Sequence, residues 1–64
     1  MLDGAKIRRL RKGLNMSQKE LGEKVGLSET MIQWIETEVR NTETDKVPLF
    51  AKALEVEVGE LFKA

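Results

Sequence analysis

The chain has 64 residues, of which 41% are hydrophobic and 34% are charged, and it contains neither cysteine nor histidine. This length accommodates one domain, residues 1–64, with a single small core. Without cysteine, neither a disulfide nor a thiolate zinc site can stabilise that core, so packing alone must hold it together. The 11 basic and 11 acidic side chains cancel, which argues against disorder driven by net charge.

The sequence lacks a candidate membrane segment. Its mean hydropathy is −0.36, and its longest apolar run, from Val47 to Ala51, is interrupted by Pro48. No apolar stretch follows the basic residues Lys6 and Arg8, so nothing after Met1 resembles a signal peptide. We therefore expect a cytoplasmic protein with no membrane partner.

The zero net charge conceals an uneven distribution of charge. Residues 1–32 carry seven basic and four acidic side chains, a formal +3, whereas residues 33–64 carry four basic and seven acidic, a formal −3. Five of the basic residues lie near the start of the chain: Lys6, Arg8, Arg9, Arg11 and Lys12. Such a run is typical either of a solvated helix face or of a surface that binds a polyanion.

Helical spacing predicts a first helix over about residues 3–14, with Ile7, Leu10 and Leu14 on one face. Asn15 suits the left-handed backbone that commonly follows a helix end. The first helix is therefore expected to stop just before Asn15.

A second and a third helix are predicted from their end signals. Ser17 and Glu20 have the spacing of a capping box, which begins a short second helix. Gly26 ends that helix, and Ser28 is a good N-cap for a third helix over about residues 29–37.

The remainder of the chain predicts two more helices. Residues 38–45 contain one large apolar side chain, Val39, and are expected to form a loop. A fourth helix begins near Val47 with Pro48 in its first turn, and a short fifth helix precedes the C-terminus. The sequence thus predicts an all-α domain with one core, built from Ile7, Leu10, Leu14, Leu21, Val25, Leu27, Ile32, Ile35, Val47, Phe50, Leu54, Val56 and Leu61.

The segment over about residues 17–37 is the most informative. Two short helices joined by the three residues Gly26, Leu27 and Ser28 cannot form a long antiparallel hairpin, so they must cross at a steep angle. That arrangement is the helix-turn-helix motif.

The sequence here resembles the lambdoid phage repressor and Cro family of helix-turn-helix domains. The resemblance covers nearly the whole chain without gaps, and it implies a compact five-helix, lambda-repressor-like domain. The matching positions are Ile7, Leu10 and Arg11; Met16 to Gln18; Glu20 and Leu21; Lys24 to Ser28; Ile32; Ile35 and Glu36; Ala51 to Leu54; Val56; and Leu61 and Phe62.

The resemblance also implies a function and a set of site residues. It implies a repressor-type transcriptional regulator that binds double-stranded DNA, as a homodimer on two half-sites, with the recognition helix (about 28–37) in the major groove. The base-facing positions are Ser28, Glu29, Thr30, Gln33 and Trp34. The phosphate-facing positions are Arg11, Ser17, Gln18, Arg40 and Asn41. Arg11 and Glu36 match a structural ion pair between the first and third helices.

Three departures from the family pattern weaken the expected DNA contact. Glu29 replaces a frequent glutamine and can only accept hydrogen bonds, so it suits the cytosine N4 donor and repels phosphates. The loop over residues 37–45 is acidic, with Arg40 as its single basic residue, where the family is usually basic. Trp34 occupies a position that is usually polar.

An alternative interpretation is therefore an engineered or diverged helix-turn-helix scaffold with little DNA binding, or a protein-interaction module. An enzyme is not indicated, because the chain lacks His, Cys and Tyr and has no phosphate-binding glycine loop. We expect no cofactor, metal or small-molecule ligand.

Overall fold

The computed structural model describes residues 2–39 and 44–63. In these ranges it contains four α-helices: α1 (Gly4–Gly13), α2 (Gln18–Val25), α3 (Glu29–Glu36) and α4 (Val47–Leu54). Two 3-10 turns, Thr44–Lys46 and Val58–Leu61, precede and follow α4. None of the helices in the described ranges is long and apolar enough to cross a membrane.

The predicted fifth helix is wrong, since the chain forms the shorter 3-10 turn Val58–Leu61 at that place. The reason is a tertiary contact between the start and the end of the domain. Phe62 returns to an extended conformation and forms an antiparallel bridge with Leu2, and the amide of Asp3 donates to the carbonyl of Leu61 at 2.8 Å. This pairing ties the two ends of the domain together and stops the helix after four residues.

The predicted helix ends at α1 and α2 are confirmed. Asn15 follows α1 with a φ of 56°, in the left-handed region. At α2, the amide of Glu20 donates to Ser17 Oγ at 3.0 Å and the amide of Ser17 donates to Glu20 Oε1 at 2.8 Å. The Ser17 amide, and then its hydroxyl, lower the pKa of Glu20. The capping box therefore stabilises α2 at neutral pH and loses that contribution as the pH falls through the lowered pKa.

The sharp turn between α2 and α3 also follows the prediction. Gly26 ends α2 with a φ of 76°, and Ser28 Oγ accepts from the amide of Met31 at 3.1 Å to begin α3. Gly22 lets the turn close, because a Cβ at this position would lie 2.5 Å from the carbonyl oxygen of Leu27. The backbone of the turn therefore lies directly against the backbone of α2 at this point.

The core takes side chains from all four α-helices and from the C-terminal 3-10 turn, and Phe50 of α4 is the largest of its fully buried side chains. Twelve of the thirteen predicted core residues are buried or packed at its edge as half-buried side chains, but the placement of Leu14 is wrong. Leu14 is 38% exposed because α1 ends at Gly13 and the chain turns away there. The sequence missed Leu2 and Ala51, which are both buried.

The position of Phe50 generates a stability prediction. Phe50→Ala should lower the free energy of unfolding by about 3–5 kcal/mol, since it leaves a cavity at the centre of the core. The matched control is Leu49→Ala on the exposed side of α4, which should cost much less. Urea denaturation followed by circular dichroism measures both variants, and equal losses would contradict the assignment of Phe50 to the centre.

The end of α4 generates a second prediction. Glu55 has a φ of 61°, a conformation that disfavours side chains with a Cβ. Glu55→Gly should raise the free energy of unfolding by about 1 kcal/mol, because glycine adopts this conformation without steric cost. Glu55→Ala removes the same carboxylate and keeps the Cβ, so it should give no such gain in thermal or urea unfolding.

Candidate nucleic-acid interface

One side of α3 faces solvent and carries all five predicted base-facing residues. The opposite side packs Ile32, Ile35 and Glu36 into the domain. The exposed side presents, from the helix start onward, Ser28, Glu29, Thr30, Gln33 and Trp34. The structure therefore brings these residues together on one accessible helical surface.

The side chains on this surface can form hydrogen bonds of different kinds. Gln33 can donate and accept, as adenine recognition requires, while Glu29 can only accept. Thr30 offers a hydroxyl and a methyl group, and methyl groups make apolar contacts with thymine. Neither Lys nor Arg occurs between Glu29 and Glu36, so α3 itself supplies no positive charge.

The start of α2 offers hydrogen-bond donors to an anion. The amides of Gln18 and Lys19 have no partner among the described residues, as expected for the first turn of a helix. Ser17 is exposed beside them. The Gln18 side chain points inward instead, and its Nε2 donates to Glu36 Oε1 at 3.1 Å. A phosphate contact by Gln18 would therefore use its backbone N–H.

The structure contains the expected ion pair between Arg11 and Glu36, and the pair is buried. Arg11 Nε lies 2.6 Å from Glu36 Oε2, and Arg11 Nη2 donates to Glu36 Oε1 at 3.0 Å. Arg11 Nη1 donates to the carbonyl of Met16 at 2.7 Å. The side chains are 8% and 1% exposed, respectively. This burial favours the structural role of Arg11 over the phosphate-facing role that was also expected.

The ion pair joins three parts of the site. Arg11 comes from α1, Glu36 from the end of α3 and Gln18 from the start of α2, and all three side chains meet at the Glu36 carboxylate. Sequence reasoning found the pair but missed the Gln18 amide and the Met16 carbonyl. The Gln18 contact depends on how α2 packs against α3, which no local pattern shows. The Met16 carbonyl accepts from Arg11 where the chain turns after α1, only five residues further on.

Glu38 has a structural role that the sequence did not indicate. Its position in the sequence predicts a loop acid, but its Oε2 accepts from the amide of Gly4 at 3.2 Å. Its Oε1 lies 2.6 Å from Lys63 Nζ, and this hydrogen bond raises the pKa of Lys63. Glu38 thus caps the start of α1 directly after α3. The predicted phosphate contacts Arg40 and Asn41, and the acidic residue Glu43, lie outside the described residues.

No group of three acidic side chains in the described ranges converges to hold a metal ion. The exposed side of α3 and the first-turn amides of α2 offer hydrogen-bonding groups to a ligand. They suit a partner with hydrogen-bonding edges next to anionic groups.

Comparison with known protein families matches residues 7–61 to the helix-turn-helix family. The chain belongs to this family. A search of curated protein sequences gave no match.

Solved structures support the same assignment. The P22 c2 repressor protein in complex with a synthetic operator is 32% identical, with a TM-score of 0.91, over 98% of this chain and 96% of that one. The restriction-modification controller protein C.AhdI from Aeromonas hydrophila is 32% identical, with a TM-score of 0.86, over 92% and 89%. The biofilm master regulator SinR in complex with DNA is 28% identical, with a TM-score of 0.79, over 88% and 90%.

The buried ion pair generates a prediction for a double-mutant cycle. Arg11→Met or Glu36→Leu alone should lower the free energy of unfolding by about 3–5 kcal/mol, because each leaves an unpaired buried charge. The double variant should recover much of this loss, since apolar side chains then fill the site. Thermal and urea unfolding of the four proteins measure the coupling, and additive losses in the double variant would contradict it.

Proposed function

We propose that this protein is a sequence-specific, repressor-type transcriptional regulator that binds double-stranded DNA through α3. The observation that carries the proposal is the exposed side of α3, where five side chains, three of them suited to reading bases, stand together on a helix packed against α1 and α2. Membership of the helix-turn-helix family and likeness to the operator-bound P22 c2 repressor support it.

In the proposed complex, α3 enters the major groove with its N-terminal residues leading. Glu29, Thr30 and Gln33 face the base edges, and Ser28 lies at the point of entry. The free amides at the start of α2 donate to a phosphate and set the position of the domain on the duplex. Trp34, which is 38% exposed, lies further along the same side, beside the sugar–phosphate wall.

Two copies of the domain would bind one operator. In helix-turn-helix proteins a dimer places its two recognition helices about 34–36 Å apart, one turn of the duplex. We propose a homodimer on two half-sites with this spacing, because eight residues of α3 cover only a few base pairs.

The charge distribution limits the affinity. The net charge is zero, and α3 has no basic residue, so few phosphates are neutralised. We expect weak binding at physiological salt and a slope of log K against log salt of about −2 to −4 per monomer.

The absence of basic residues on α3 also supports a second candidate function, a helix-turn-helix module that binds a protein rather than DNA. An α3 surface with Glu29 at its leading end and no cation would tolerate a neutral or basic partner better than a phosphate backbone. Titration with DNA separates the two functions.

The test is a titration of mixed-sequence and operator-like duplexes at low and moderate salt, followed by Trp34 emission and by anisotropy of labelled DNA. Binding should quench or shift the emission. Gln33→Ala should reduce discrimination between sequences more than it reduces non-specific affinity, because in the proposed complex Gln33 contacts bases and not a phosphate. If the protein binds no duplex even at low salt, the DNA-binding function is wrong.

Glu29→Gln gives a sharper comparison. It should strengthen non-specific binding about fivefold, the effect of removing about 1 kcal/mol of repulsion between unit charges 4 Å apart in water. It should also move the base preference from cytosine towards adenine. Glu57→Gln makes the same charge change beside the C-terminal 3-10 turn and should leave both properties unaltered.

A further inference from the structure

The exposed face of α1 carries three basic side chains, Arg8, Arg9 and Lys12, here called the α1 basic stripe. All three are exposed, and none forms an ion pair with a described residue. Arg8 and Lys12 are four residues apart, so they lie on the same helical face with about 5–6 Å between their Cβ atoms. The stripe is therefore a concentration of uncompensated positive charge.

The stripe lies beside the end of α3. Arg8, Arg9 and Lys12 line an open groove of about 400 Å³ together with Ala5 and Glu36. The start of α1 touches the end of α3 directly, since a Cβ on Gly4 would lie 2.4 Å from the carbonyl oxygen of Ile35.

The side of α1 nearest α3 carries Arg8. Arg8 is one turn before Arg11, which reaches Glu36, and the Gln18 amide meets the same carboxylate from the start of α2. Arg8 and Lys12 therefore border the junction of all three helices. Glu36 adds no uncompensated negative charge to the groove, because it is paired with Arg11.

Several other cations of the described ranges are paired or lie elsewhere. Arg11 is paired with Glu36, and Lys63 is paired with Glu38. Lys24 and Lys52 line a separate groove between α2 and α4 that also contains Glu55. A polyanion that approaches α3, which has no basic residue, would meet the three exposed cations of the α1 basic stripe beside the end of that helix.

We propose that Arg8 and Lys12 bind the sugar–phosphate backbone of the duplex whose bases α3 reads. The proposal rests on the proposed DNA-binding function and assigns its phosphate contacts to α1 in place of Arg11. Arg8 can donate to two oxygens of one phosphate, and Lys12 can reach a neighbouring phosphate as a point charge. Because phosphates carry no sequence information, these contacts set affinity and salt dependence but not base preference.

The experiment compares the full chain with R8Q/K12Q and with the charge-matched control K24Q/K52Q. Glutamine has a helix propensity similar to lysine and arginine, and circular dichroism with thermal melting verifies that both variants fold. Affinity for a mixed-sequence duplex is measured by anisotropy over a range of salt concentrations.

We expect R8Q/K12Q to lower the magnitude of the slope of log K against log salt by about 1.8, since each lost phosphate contact removes about 0.9. If the affinity extrapolated to 1 M salt is unchanged, this slope predicts an affinity about 60-fold weaker at 0.1 M salt. K24Q/K52Q should keep the slope of the unsubstituted protein, although its net charge changes equally. The base preference should be the same in all three proteins.

The outcomes separate this proposal from the function on which it rests. An unchanged slope in folded R8Q/K12Q, or an equal fall in both double variants, overturns the role of the stripe while DNA binding itself stands. A change in base preference in R8Q/K12Q also overturns it, since it would place these residues at the bases. If the unsubstituted protein binds no duplex at low salt, both proposals are wrong.

Discussion

The hydrogen-bonded ion pair between Arg11 and Glu36 is the interaction on which the site depends. It is buried, bidentate and shared with the Gln18 amide and the Met16 carbonyl, so every part of the guanidinium fork has a partner. A pair of this kind contributes little net stability compared with apolar packing, but breaking it is costly. Its effect is to fix the positions of the end of α3 and the start of α2 relative to α1.

The position of α3 relative to α1 and α2 determines which of its side chains face solvent. Short helices of eight residues are marginal on their own, and α3 acquires its rigidity from neighbours on its buried side. Gly22 allows the turn before α3 to touch α2, and Glu38 after α3 caps α1. Both ends of α3 are thus anchored by contacts with other helices, and its opposite side stays exposed to solvent.

The proposed function divides recognition between two helices. Side chains on α3 would supply base contacts without positive charge, and Arg8 and Lys12 on α1 would supply positive charge without base contacts. This division follows from the position of the ion pair, because Arg11, which reaches the end of α3, is neutralised by Glu36. A protein with zero net charge can bind a polyanion only where its cations are locally unopposed.

The sequence by itself determined the local features of this protein. Ser17 with Glu20, Gly26 and Ser28 define helix ends through hydrogen bonds or backbone preferences that span at most three or four residues, and such signals are readable without tertiary contacts. The exposed side of α3 was predictable for a related reason: the apolar spacing of Ile32 and Ile35 leaves the other positions outward.

Only the tertiary structure decided the features that join distant residues. Leu14 proved exposed and Leu2 buried because α1 stops at Gly13 and the two chain ends pair. The fifth helix shortened to a 3-10 turn for the same reason. Glu38 became a helix cap instead of a loop acid because Gly4 and Lys63, which are 34 and 25 residues away in the chain, lie beside it in the fold. Contacts at such separations depend on how the helices pack, which no local pattern of residue types encodes.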